Sequence, residues 1–222
     1  MSQYKVVEKF VSINGEGVLM GQLAVFIRFQ GCNLNCSYCD TAWANKDNAA
    51  YTPMTEHQIY SYIKETGVKN VTLTGGEPLL HPNVIQLLQM LAKDNDLHVE
   101  IETNGSIDIS TFIKISNPPA FTMDYKLPGS LMEAKMLVSN FKLITKKDTV
   151  KFVVGSIVDF NRAKEIITVH ELITKCHVYI STVFGRISLK EVVEYMKKNT
   201  MNGVALQLQM HKMIWDPDER SV

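Results

Sequence analysis

Short β-branched runs alternate with longer segments of helical period along most of the chain, and this alternation restricts the fold more than any other feature. The spacing predicts strands over Ala24–Phe29, Asn70–Thr74, His98–Thr103, Ala120–Tyr125, Val150–Gly155, His177–Phe184 and Val204–Met210. Helices are expected over Thr55–Glu65, Asn83–Asn95, Phe160–Ile173 and Leu189–Asn199. The last three begin just after Pro82, Asp159 and Ser188, residues that suit a helix N-terminus. A βαβα order implies a mainly parallel α/β sheet, either open and doubly wound or curled into a complete or partial barrel, with the helices outside the strands. Both architectures bind ligands at the C-terminal ends of the strands.

At 222 residues the chain can bury a continuous core, and without low-complexity tracts, linkers or repeats it is expected to be a single domain over residues 1–222. Lys plus Arg and Asp plus Glu balance at 23 each, which argues against a general electrostatic attraction to nucleic acid or anionic membrane and for a small partner. No apolar run approaches the roughly 20 residues of a membrane span. The start, MSQYKVVEKF, lacks the uninterrupted apolar stretch of a signal peptide, so a cytoplasmic location is expected.

Three of the four cysteines lie within GCNLNCSYCD, directly after the first clear strand and therefore at the ligand-binding edge. A disulfide among Cys32, Cys36 and Cys39 would close a very tight loop and leave a thiol over. Reduced thiolates holding metal fit better. Each thiolate can take one iron of a [4Fe-4S] cubane, leaving the fourth iron open to a small chelating molecule. Two alternatives stand beside this. A structural zinc site would need a further Cys or His pair, for which only distant Cys176 and His177 are candidates. A ferredoxin-type carrier would need a fourth cysteine for its cluster, and again only Cys176 remains.

Gly75 and Gly76 follow the strand Asn70–Thr74 and let a ligand approach the backbone closely. On the third strand Glu100 and Glu102 share one face by the period of two, and Glu102 either accepts ribose hydroxyls or stands in water at the rim. Arg28 shares its face with Ala24 and Phe26, assigned to the barrel lumen, where it meets either a substrate anion or a strand-borne carboxylate.

CxxxCxxC on the first strand's loop, Tyr38 before the last cysteine, and TGGEP at Thr74–Pro78 resemble the radical S-adenosylmethionine superfamily. The resemblance implies a partial TIM-type β/α barrel, a [4Fe-4S] cluster on Cys32, Cys36 and Cys39, and S-adenosylmethionine as cofactor. FVSINGEG, AVFIRFQGCNLNCSYCDT and LQLQMHKMIW further resemble the 7-carboxy-7-deazaguanine synthase family nearly end to end. That likeness implies substrate contacts from Ile13, Asn14, Gly15, Arg28 and Thr74, with Asn14 standing where a glutamine is common in the family. It implies cofactor contacts from Tyr38, Cys39, Asp40, Gly76, Glu102, Asp124, Tyr125 and Lys126, although only Lys126 survives of the usual Ser-Pro-Lys. Thr41 matches a magnesium-binding hydroxyl, and otherwise reads as a helix cap. Gln207, Gln209 and His211 are expected along one face of the last strand, His211 as either a rim or a catalytic histidine.

The implied reaction is ring contraction of a carboxylated reduced pterin with loss of ammonia, fed by a flavodoxin or ferredoxin-type reductant in a homodimeric enzyme. A glycyl-radical activase of the same superfamily is the nearest alternative. A non-catalytic iron–sulfur or zinc module is the alternative of a different class.

Overall fold

The computed structural model describes residues 3–216 and 219–222. Nine strands form one sheet: β1 (Tyr4–Ile13), β2 (Leu23–Phe29), β3 (Thr52–Met54), β4 (Asn70–Gly75), β5 (His98–Thr103), β6 (Ala120–Tyr125), β7 (Thr149–Val154), β8 (His177–Thr182) and β9 (Val204–Leu206). Their order is β3-β1-β2-β4-β5-β6-β7-β8-β9. From β2 to β9 every pairing is parallel, whereas β1 runs antiparallel to both β2 and β3. The sheet curls into a partial barrel without closing. The segment after β9 reaches the loop after β1 through hydrogen bonds outside the ladder, from the Gln207 side chain to the Gly17 carbonyl (3.1 Å) and from the Met210 amide to the Gly15 carbonyl (3.3 Å).

The alternation along the strands sorts the two faces. Val25, Ile27 and Phe29 of β2, Val71 and Leu73 of β4, and Val150 and Phe152 of β7 are buried in the core under the helices. The intervening Phe26, Arg28, Thr74, Glu102, Asp124 and Lys151 line the lumen. The helices bury apolar residues at helical spacing: Ile59 and Ile63 of α1 (Glu56–Thr66), Val84, Leu87, Leu88 and Leu91 of α2 (Val84–Leu91), and Phe160, Ala163, Ile166 and Ile167 of α3 (Ile157–Val169). A one-turn α4 (Leu172–Lys175) follows, and α5 (Leu189–Lys198) begins at a capping box between Ser188 and Glu191.

The sequence reading misses β1 and β3, and several expected boundaries shift. Asp159 does not precede α3. It lies in its first turn, with Ser156 as the cap, and its carboxylate accepts from the Gly129 and Gly155 amides. The expected helix Phe160–Ile173 breaks after Val169, where Glu171 takes a left-handed conformation with φ 51°. The last strand ends at Leu206 rather than Met210. Gln209 lies beyond it, and His211 opens a one-turn helix, α6 (His211–Ile214). Short 3-10 turns replace α-helices in the crossovers from β5 to β6 and from β6 to β7.

Candidate active site

The cysteine loop is pinned to the ends of neighbouring strands by its own backbone. The Gly76 amide donates to the Phe29 carbonyl (3.2 Å), the Glu77 amide to Gly31 (2.9 Å), and the Ser37 amide to Ser130 (3.1 Å). Cys32, Cys36 and Cys39 are free, half-buried, and face one cavity of about 760 Å³ at the C-terminal strand ends. Burial pushes the free Cys36 thiol up to about 11, so loading metal there releases a proton. Cys176 sits in the core at the start of β8, on the opposite edge of the sheet, with its sulfur on the Leu172 carbonyl. It cannot complete a ligand set for zinc or for a ferredoxin cluster without rebuilding the fold.

The glycine pair is required by the protein itself as well as by any ligand. Gly75 has φ 147°, and a Cβ there would stand 2.4 Å from the Phe29 carbonyl oxygen. At Gly76 it would stand 2.0 Å from the Gly31 oxygen. Gly76→Ala must therefore displace the backbone that leads into Cys32. It is expected to cost about 3 kcal/mol or more, read as a lowered unfolding midpoint of the apoprotein; an unshifted midpoint would show that the loop yields freely.

Glu77, the acidic residue of the same motif, turns inward and is 1% exposed. Its carboxylate accepts from the Leu79 amide (3.0 Å), the Thr103 hydroxyl (2.9 Å) and the Asn104 amide (2.6 Å), which fastens the end of β4 to the turn after β5. Burial outweighs these bonds and pushes the carboxyl up to about 7. The sequence reading missed this role, although an acid fixed between two strand-end motifs was the available signal.

Beneath the cysteines, the segment after β1 crosses the floor of the lumen. Asn14 is buried, with its side-chain oxygen accepting from Thr72 (3.0 Å). Glu16 pairs with Lys151 (2.6 Å), and Asp124 with Lys126 (2.5 Å). Burial alone would lower Lys151, but Glu16, Asp124 and Glu102 outweigh it and hold the ammonium above its ordinary value. Thr74 donates to Glu102 (2.7 Å). Arg28 bonds Glu8 across the β1–β2 ladder through Nε (2.8 Å), so the ion-pair reading of this residue is realised while its side chain still lines the cavity.

Glu100 accepts from Thr122. Burial raises its carboxyl, the Thr122 bond opposes that, and Glu102 adds to it, so that it is pushed up to about 7. This lies above the roughly 4.3 of an unfolded chain. The folded protein therefore holds the proton more tightly, and the contribution is complete below about pH 4 and lost as the pH rises through about 7. Between about pH 5 and 8 the apoprotein is expected to lose stability, with roughly 2 kcal/mol of that loss removed in Glu100→Gln. Denaturant midpoints across the range check this, and parallel profiles would contradict it.

Several buried polar atoms of residues lining this cavity have no hydrogen-bond partner among the described residues: the Tyr38 hydroxyl, Glu16 Oε1, Asn45 Oδ1 and Asp124 Oδ1. Leaving such atoms unsatisfied costs about 1–3 kcal/mol each, and their concentration here marks a surface shaped for ligand groups. The three sulfurs do not converge on a point that could hold one ion, which a cubane does not require because each thiolate takes its own iron. The residues therefore fit a cluster with a polar ligand beside it. Thr41 begins a 3-10 turn without a side-chain capping bond, and its hydroxyl lies 3.6 Å from Cys39 Sγ. A single hydroxyl in this position is compatible with a magnesium ion that keeps most of its waters.

A family model described as the radical SAM superfamily matches residues 26–118. A 7-carboxy-7-deazaguanine synthase from Clostridium acetobutylicum is 61% identical over 219 residues, covering 99% of both chains. The synthase from Chlorobaculum tepidum is 33% identical over 97% of this chain and 96% of its own. The crystal structure of QueE from Escherichia coli superposes with a TM-score of 0.71 at 21% identity, over 92% of each chain, and shows the same fold. The chain belongs to the 7-carboxy-7-deazaguanine synthase family.

The structure gathers most of the residues that the likeness to 7-carboxy-7-deazaguanine synthases singles out. Ile13, Gly15, Arg28, Cys32, Cys36, Tyr38, Cys39, Asp40, Thr41, Thr74, Gly76, Glu102, Asp124 and Lys126 all line one cavity. Asn14, buried with its side-chain oxygen on Thr72, is not among them, and neither is Tyr125. Its ring packs between Phe141 and Phe152 and its hydroxyl donates to Glu133, because the strand period that turns Asp124 inward turns Tyr125 into the core. Asp40 is exposed and faces Lys212 of α6 at 3.5 Å. His211 packs on Gly15, and burial lowers its imidazole. Glu8, Glu16, Lys151 and the C-terminal residues 219–222 also line the cavity and were missed. The first three become legible only once strand pairing is known. For the tail, the Ser221 hydroxyl on Glu8 (3.2 Å) shows that the chain end folds back over the Arg28 wall.

Proposed function

We propose that the protein converts 6-carboxy-5,6,7,8-tetrahydropterin to 7-carboxy-7-deazaguanine, contracting the ring with loss of ammonia. The observation that carries this is 61% identity across the whole chain to a 7-carboxy-7-deazaguanine synthase. The cysteine loop and Arg28 on two walls of one cavity give it a physical basis. When bound, the cluster and S-adenosylmethionine supply a carbon radical able to take an unactivated hydrogen.

The chain's own contribution is positioning. Arg28, oriented by Glu8, offers its guanidinium fork to the pterin carboxylate. The unpartnered Glu16 Oε1 offers an acceptor to the polar ring edge, and Asn14, buried on Thr72 two residues before it, braces that segment. Thr74, fixed by its bond to Glu102, would offer its hydroxyl oxygen to the substrate. The hydrogen bonds from Gln207 and Met210 close the floor and restrict water there. Fixing the reacting carbon in this way is a large part of the rate such a site can supply. Thr41 would hold a magnesium ion, which would supply template and Lewis-acid chemistry to the substrate. Tyr38, Gly76, Glu102, Asp124 and Lys126 would hold S-adenosylmethionine.

On the same reading residues 1–222 form one domain, supported by a single sheet that runs from Tyr4 to Leu206. Electrons come from an external flavodoxin or ferredoxin, the enzyme is a homodimer, and it works in the cytoplasm, where the thiols stay reduced. No helix among the described residues is long and apolar enough to cross a membrane.

The test is anaerobic reconstitution with iron and sulfide, followed by reductant, S-adenosylmethionine, magnesium and the pterin acid. Product of the mass of the deazaguanine acid is expected. A full cluster with no conversion would reject this substrate.

A further inference from the structure

The side chain of Asn104, in the turn after β5, is 6% exposed and stands at hydrogen-bonding distance from a cluster ligand. Its Nδ2 lies 3.5 Å from Cys32 Sγ and 3.0 Å from Asn33 Oδ1. Which end of an amide faces a neighbour is ordinarily an assignment, but here the surroundings decide it. Asn104 Oδ1 accepts from the Ser106 backbone amide (2.9 Å) and from the Ser106 hydroxyl (2.6 Å). A backbone amide can only donate, so the oxygen end is fixed and the donor end must face the sulfur. The residue's own amide is anchored in turn on the Glu77 carboxylate (2.6 Å). Asn45 offers a contrast at Cys39: its contact is 3.8 Å, and its other amide atom has no partner to fix the orientation.

We propose that Asn104 is a positioning residue that sets the reduction potential of the cluster, by donating an N–H···S bond to the Cys32 thiolate alongside the one from the Leu34 amide (3.4 Å). Donors to cluster sulfurs stabilise the more negative, reduced state and raise the potential. The GGEP motif and the segment 102–105 that ends β5 are thereby linked to electron entry: Glu77 holds the turn, and the turn aims the donor. This inference rests on the cluster reading above.

The experiment compares the parent with Asn104→Ala and Asn104→Asp after anaerobic reconstitution, measuring iron and sulfide content, melting of the apoprotein, and the midpoint potential by EPR-monitored redox titration. Alanine removes the donor. Aspartate keeps the oxygen that Ser106 binds, removes the donor and adds a negative charge. Both midpoints are expected to move to more negative values, aspartate further than alanine. If alanine also lowers the melting midpoint, the near-isosteric aspartate decides. Midpoints equal to the parent's in fully loaded variants would overturn the proposal. Failure of both variants to retain a cluster, with apoprotein melting unchanged, would also overturn it, by assigning Asn104 to cluster retention. A parent that takes up no cluster would sink the cofactor reading and this inference with it, an outcome recognisable before any variant is titrated.

Discussion

Cys36→Ala is expected to abolish both the visible absorbance of the cluster and the cleavage of S-adenosylmethionine, while leaving the fold intact. Cys36 is half-buried on a loop whose backbone is held at Phe29, Gly31 and Ser130 by bonds that do not involve its side chain. Truncating it therefore removes a ligand without removing packing that the sheet depends on. No replacement thiol is at hand, since Cys176 lies in the core at the other edge of the parallel strands. With two of three protein ligands left the cubane is not retained. Iron analysis, anaerobic absorbance and the yield of cleaved cofactor check this together. Retained iron with undiminished cleavage would contradict the assignment, and a parent that binds stoichiometric zinc and no iron would support a structural module.

Arg28→Ala is expected to lower kcat/KM for the pterin acid by about 10²-fold or more, with slow, substrate-independent cofactor cleavage retained. Truncating one side of a buried charged pair costs roughly 2–5 kcal/mol, and each 1.36 kcal/mol is tenfold in rate. The substitution also strands Glu8, whose side chain is 11% exposed and keeps only the Ser221 hydroxyl among the bonds described for it. Some loss of stability therefore accompanies the loss of turnover. Glu8→Gln with Arg28→Ala separates the two effects, because it relieves the stranded charge without restoring a cation. Recovery of stability without recovery of turnover is the expected result, and unaltered turnover in Arg28→Ala would remove this residue from the substrate site.

The parallel part of the sheet was legible because its strands are short runs rich in β-branched or aromatic residues, most of them followed by a clear helical or turn signal. β1 was not, since Glu8 and Lys9 interrupt the alternation and the strand's pairing with β2 carries an irregularity between Val6 and Glu8. That omission hid Glu8, and with it the partner of Arg28. Asp159 misled because an acid near a helix start suits both a cap and the first turn. The strand ending at Leu206 was overextended because polar Gln207 and Gln209 kept a period of two beyond the last ladder bond. The cysteines, GGEP and the face bearing Arg28 were readable because spacing and strand period fix them locally. The Glu16–Lys151 pair spans 135 residues and has no local signal.

The central claim is that a carboxylate clamp stands beside a radical source in one cavity, and the most direct measurement compares two substrates on one enzyme. Reconstituted parent protein should convert the pterin acid at least about 10²-fold more efficiently in kcat/KM than the corresponding carboxamide, which matches it in shape but carries no charge for Arg28. In Arg28→Ala that preference should collapse toward unity. Equal conversion of acid and amide by the parent would contradict the account.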